Sequence, residues 1–223
     1  MRIFAAVYKC SNCQSLIKGV VNMSGNTING ISFSDTYVDA PMKMPEGAGY
    51  IGCANCKNVF EKNKLEIIKQ YEWEMSDADK AEYNSAPEPL SDFDTLKILL
   101  EDQKFDSSEN NKKFSLWYLW HFNHNLKPEE KGEEIENGNY KKYTNKLIDI
   151  LSSEKDNVNS EVLKAEILRE RGEFDKSEEM LNSIDQSKFN SVKIQYVFDE
   201  MKKRIAQKDN AVFETEKKPD FIK

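Results

Sequence analysis

Only four cysteines occur in the 223 residues, and they form two copies of one short motif: Cys10-Ser11-Asn12-Cys13 and Cys53-Ala54-Asn55-Cys56. A Cys-x-x-Cys turn presents two thiolates to one ion, and two such turns complete a tetrahedral set. The pattern predicts one structural Zn²⁺ held by Cys10, Cys13, Cys53 and Cys56, with no position left for a substrate. Two other chemistries use the same residues: disulfides or a redox-active Cys-x-x-Cys pair, and an iron–sulfur cluster on four thiolates. A short N-terminal module with few large apolar side chains gains most from a metal, because a structural zinc contributes on the order of 10–16 kcal/mol.

Other catalytic signatures are missing from the sequence. There is no Gly-rich phosphate loop, no Gly-x-Ser-x-Gly elbow, and no cysteine outside the two motifs to act as a nucleophile. His121 and His124 are the only histidines and stand three apart without a zincin motif around them, so they are expected to serve helix packing or as polar tips at a domain junction. The chain is therefore expected not to be an enzyme.

The elements that must position the cysteines are short strands. Residues 1–9 and 16–23 are rich in Val, Ile, Phe and Leu on either side of the first motif. Ser24-Gly25-Asn26 signals a turn, and Ile28 to Val38 predicts a further strand or pair of strands. Pro41, Pro45, Gly47 and Gly49 mark a loop before Tyr50-Ile51 enters the second motif, and Phe60 is placed to pack beneath the metal. From Glu61 the apolar spacing of Leu65, Ile68 and Trp73, with Ile67 and Tyr71, predicts a helix leaving this module.

The remainder reads as helical. Ser76 with Asp79 fits a capping box, Ala86-Pro87-Glu88-Pro89 is the clearest break, and Ser91 starts another helix. Residues 114–122 are apolar nearly all round a helical wheel, which predicts a core helix. A solvated connection is expected over 127–139. Helices then follow at 140–152, 160–171, 174–184 and 188–207. The fold class expected is α+β, a small N-terminal β-rich zinc ribbon (1–75) followed by an all-α, TPR-like helical domain (76–213) and a flexible tail (214–223).

Charge limits the partners. The net charge of −7 is uneven: residues 1–75 carry eight Lys/Arg against seven Asp/Glu, and the remainder carries 24 against 32. An acidic helical body suits a protein partner of basic character better than nucleic acid, whose binding needs clustered Lys/Arg. A nucleic-acid-associated zinc-ribbon protein is the alternative, with Phe33, Tyr37 and Tyr50 as stacking residues. The N-terminal apolar run is too short for a signal peptide and nothing approaches a membrane span, so no membrane partner is expected and the compartment expected is the cytoplasm.

Several strings coincide in order: Cys10-x2-Cys13, Ser24-Gly25-Asn26-Thr27, Ser34-Asp35, Ala40-Pro41-Met42, Cys53-x2-Cys56-x3-Phe60, and the run Leu163 to Phe174. In that last run Ala165 permits close helix approach, Gly172 provides a turn and Phe174 wedges between helices, as in the middle of a tetratricopeptide repeat. Together these resemble an uncharacterised group of bacterial two-part proteins with a four-cysteine zinc-ribbon head and a TPR-like tail. The resemblance implies fold and metal and leaves activity open; on this basis the chain is expected to be a zinc-binding protein–protein interaction module, an adaptor or inhibitor of its partner. It departs from the pattern at Gln14 and Lys57, where ribbon turns often carry Gly.

Overall fold

The computed structural model describes residues 2–24, 26–40, 49–72, 74–101, 109–121, 124, 139–154 and 156–215. The loop expected at Pro41–Gly49 except its last residue, Trp73, Phe122, most of the solvated connection and the end of the tail lie outside them. The fold is α+β, with antiparallel strands at the start and seven α-helices among the described residues. Two compact units are resolved: residues 1–28 with 40–118, and residues 29–39 with 119–223. Beyond residue 75 the first unit takes in two helices and most of a third, and the second unit includes residues 29–39 of the N-terminal region. No helix among the described residues is long and apolar enough to cross a membrane.

In the first unit, β1 (Arg2–Lys9) and β2 (Leu16–Ser24) form an antiparallel hairpin whose closing pair is Lys9 with Leu16. Strands β5 (Tyr50–Gly52) and β6 (Val59–Glu61) form a second hairpin closed by Gly52 with Val59. Each Cys-x-x-Cys motif is thus the turn of a hairpin. Alternation along β1 gives it two working faces. Ala6 and Tyr8 join Ile17, Ile51 and Leu65 in a core that includes Cys10 and Cys53, with Phe60 packed against it as expected. Val7 faces the other way, against Tyr71 and Ala86.

The helix expected from Glu61 is not formed. The chain runs from β6 through a 3-10 turn at Lys62–Lys64 into β7 (Glu66–Gln70), which pairs antiparallel with β1 and completes the sheet order β2-β1-β7. The run Leu65-Glu66-Ile67-Ile68 satisfies helical and extended templates equally, and pairing with β1 decides between them. The i,i+3 partner expected for Leu65 fails outright: Leu65 is buried, whereas Ile68 is exposed.

Helix α1 (Asp77–Ser85) begins at the capping box, Ser76 Oγ accepting the Asp79 amide at 3.1 Å and lying 2.7 Å from its carboxylate. Helix α2 (Asp92–Glu101) is capped the same way by Ser91 and Asp94. The Leu90 amide donates to Gly52 O at 2.9 Å, and a Cβ on Gly52 would sit 2.7 Å from Leu90 Cδ1 and Thr95 Oγ1. Glycine at 52 is what lets the α2 region approach the strand that leads into Cys53.

Helix α3 (Glu109–His121) buries Leu116, Leu119 and Trp120, in keeping with its apolar sequence. In the second unit, α4 (Asn139–Ser153), α5 (Val158–Glu170), α6 (Phe174–Ser183) and α7 (Val192–Ala206) follow close to their expected positions. The α5–α6 turn is made at Gly172 with φ +72°, a left-handed conformation that glycine adopts without strain. Ala165 is fully buried at the helix contact, and the Ser177 hydroxyl donates to its carbonyl at 2.7 Å. Below this hairpin Val158, Val162, Leu181, Phe198 and Met201 form the core.

The strand pair expected between Ile28 and Val38 is formed in this unit, and two features beyond it escape the sequence: the seat of residues 214 and 215 against that pair, and a buried charge pair. Strands β3 (Ile31–Ser32) and β4 (Val38–Asp39) pair as a hairpin, and Phe33 bridges Glu214. Glu214 and Thr215 are consequently part of the fold, Thr215 N donating to Ser32 O at 2.8 Å, although a tail was expected from 214. The second is a buried charge pair: Arg169 grips Glu166 through Nε (2.7 Å) and Nη2 (2.6 Å), and donates to the Asp209 and Ala211 carbonyls. That fork ties the segment after α7 to the last turn of α5.

Candidate metal centre

The two hairpin turns bring all four sulfurs together, with every pair of ligand atoms within 4.8 Å. Cys10 Sγ lies 3.6 Å from Cys56 Sγ, and Cys13 Sγ lies 3.7 Å from Cys53 Sγ. A tetrahedron with bonds of about 2.3 Å to its centre has edges of about 3.8 Å, the zinc–thiolate dimension. A disulfide needs about 2.05 Å, so the sulfurs across the two turns are at coordinating distance and not bonded, and all four cysteines are free.

Both turns have the same backbone. Cys10 N donates to Ser15 O and Gln14 N to Cys10 O; Cys53 N donates to Asn58 O and Lys57 N to Cys53 O. The residue after each second cysteine is left-handed, Gln14 at φ +63° and Lys57 at φ +59°. These are the two positions where glycine would be the unstrained choice. Gln14 partly compensates, its side-chain amide reaching the Cys10 and Ser11 carbonyls at 3.4 and 3.3 Å.

The first cysteine of each motif is buried and the second half-exposed. Burial pushes the Cys10 thiol up to about 12 against the pull of the Cys13 and Asn12 amides. The Ser15 hydroxyl, then Asn55 and the Ser15 amide, hold Cys13 down at about 5. Burial likewise raises Cys53; at Cys56 burial is outweighed by the Asn58 amide, Asn12 and Cys10, and the net shift is downward. A dication among the four would draw the remaining protons off the inner pair.

Asn12 and Asn55 reach across from one turn to the other. The Asn55 amide bonds toward Cys13 and donates to Ser15 Oγ at 3.0 Å, while the Asn12 amide bonds toward Cys56. Each turn therefore supplies two sulfurs and one donor that orients a sulfur of the other. The signal was present in the sequence, since both motifs read Cys-x-Asn-Cys.

His121 and His124 are brought together elsewhere, on Asp35 of the β3–β4 turn. His124 Nδ1 is 2.8 Å from Asp35 Oδ2, and His121 Nε2 is 2.9 Å from the Asp35 carbonyl. Tyr37 stacks on His124 with centroids 4.3 Å apart, and Phe33 meets it edge-on at 4.5 Å. Phe33 and Tyr37, named above as stacking residues, thus contact imidazole in this unit. Among the described residues no second cluster of three or more Cys, His, Asp or Glu approaches metal-binding distance.

Beside this turn the second unit opens a cavity of about 360 Å³, walled by Val38, Val162, Leu163, Ile194 and Val197 with Thr36 on its rim. Thr36 holds φ +67°, unusual for a β-branched residue.

No protein-family model matches the chain, and neither the curated proteins nor the solved structures include a significant match. The metal-binding geometry therefore rests on this chain's own residues.

Proposed function

We propose that this protein is a non-enzymatic, zinc-binding interaction module of the cytoplasm, an adaptor or inhibitor that recognises a protein partner. What carries the reading is the closure of the sulfur cluster. Four protein thiolates around one ion leave no coordination position for a substrate, so the ion's work is to hold two hairpin turns together. One ion is favoured over an iron–sulfur cluster because sulfurs held within 4.8 Å leave no room for a multi-metal core between them. Zinc in this role makes Cys10, Cys13, Cys53 and Cys56 structural ligands of a ribbon head.

The helical unit supplies the recognition surface. Its α5–α6 hairpin has the small residue, turn glycine and wedge aromatic of a TPR-like unit. The apolar cavity beside α5 and α7 can accept a partner's aliphatic or aromatic side chain. The acidic excess beyond residue 75 favours partners that carry positive charge around that anchor. Affinity capture from native lysate tests the idea with wild type, Leu163→Glu and chelator-treated protein. A stoichiometric basic partner retained by wild type and lost by Leu163→Glu, with circular dichroism unchanged, supports it. Absence of any stoichiometric protein, or equal capture by the variant, counts against it.

A further inference from the structure

Strand β7 is an edge. In the sheet order β2-β1-β7 it has β1 on one side and, among the described residues, no strand on the other. It also exposes two adjacent large apolar residues, Ile67 at 44% and Ile68 at 47% of full exposure. The pairing with β1 explains why both isoleucines face water. Tyr8 pairs with Ile67 and Val7 with Lys69, so Ile68 is the extra residue of a bulge and the alternation that would bury one of the two is broken. An open edge carrying adjacent β-branched residues is a template for another strand.

The sequence of the edge specifies which strand fits. Glu66-Ile67-Ile68-Lys69 is its own complement when run antiparallel: glutamate falls opposite lysine and isoleucine opposite isoleucine. A strand from an unrelated protein would have to supply that complement independently, whereas a second copy of this chain supplies it automatically. The charged ends are accessible, the Glu66 side chain being 65% exposed and that of Lys69 38%. Glu66 already lies 3.7 Å from Lys9, and Lys69 holds Asp79 at 3.0 Å and Glu82 at 2.5 Å, so the flanking charges of a pair would join an existing network of both signs.

We propose that two copies of the chain associate through β7, antiparallel about a two-fold axis, with Glu66 opposite the partner's Lys69 and Ile67 opposite the partner's Ile68. The contact is isologous, so it closes as a dimer and does not propagate into fibres. It also gives each assembly two copies of the interaction module, and two copies raise avidity for a repeated partner.

Charge reversal tests both the association and its register. Native mass spectrometry and light scattering on the full, metal-loaded chain at tens of micromolar should show a dimer for wild type. Glu66→Lys alone sets lysine against lysine, and Lys69→Glu alone sets glutamate against glutamate; each should raise the dimer dissociation constant by at least about tenfold. An equimolar mixture of those two variants should restore association as a heterodimer, because every opposed pair is again of opposite sign. Ile68→Lys, at an exposed position, should be monomeric with unchanged circular dichroism, which separates loss of contact from loss of fold. A monomeric wild type would overturn the proposal and leave Glu66 and Lys69 as residues that keep the edge single. Dimers undiminished in Ile68→Lys, or single-charge variants that remain monomeric when mixed, would overturn it as well.

Discussion

Replacing Cys53 by serine should undo the first unit and spare the second. Cys53 is fully buried, and its sulfur is 3.7 Å from that of Cys13. Losing one of four thiolates forfeits roughly a quarter of a zinc-binding free energy on the order of 10–16 kcal/mol, or about 2.5–4 kcal/mol. That is two to three orders of magnitude in affinity and a large part of the stability of a small unit. The damage should extend past the hairpin turns. Cys53 follows Gly52, whose carbonyl accepts the Leu90 amide and whose open face receives Leu90 and Thr95. Helices α1 and α2, of 9 and 10 residues, should therefore lose protection with the strands, while α4 to α7, of 15, 13, 10 and 15 residues, keep their ellipticity. Hydrogen exchange read by mass spectrometry, with far-ultraviolet circular dichroism beside it, resolves the two responses. Unchanged protection of β1, β5 and α2 in Cys53→Ser would refute the reasoning, because the unit would then stand without its sulfur centre.

Three further outcomes follow from the geometry. Asn12→Ala and Asn55→Ala each remove a donor to a sulfur of the opposite turn and should lower metal affinity about 10–100-fold in a chelator competition, with the fold retained when metal is saturating. Lys57→Gly relieves a left-handed residue whose side chain is exposed and should stabilise the first unit by up to about 1 kcal/mol in denaturant unfolding; a loss of stability would mean the lysine makes up for its strain. Glu166→Ala leaves the Arg169 guanidinium buried without its carboxylate and should cost about 3–5 kcal/mol in the second unit, read as a fall in its thermal midpoint while metal content stays the same.

The cysteines were legible because their chemistry fixes their geometry: two Cys-x-x-Cys turns have one economical way to meet. The caps at Ser76 and Ser91 and the turn at Gly172 were legible for the same kind of local reason, each depending on a residue or two and their immediate backbone. Long-range pairing was not. The apolar spacing from Glu61 predicts a helix because it does not encode β1 as a neighbour, and only that pairing makes β7 a strand. Likewise the β3–β4 hairpin takes its place from the contacts Asp35 makes with His121 and His124 and from Ser32 and Phe33 meeting residues 214 and 215. Separations of this size leave no trace in periodicity. Gln14 and Lys57 are an intermediate case: their positions marked them as unusual, and their positive φ shows that the turn keeps its shape without glycine.

The claim that underlies the rest is that one metal ion joins the two hairpin turns. Mass measurement of the intact protein, sprayed under conditions that preserve its fold and then again after acid denaturation, addresses it most directly. The folded species should be heavier by a single zinc ion, and acid should strip it, since the ligands must be deprotonated to hold the metal. A folded species with the mass of the polypeptide alone would contradict the claim.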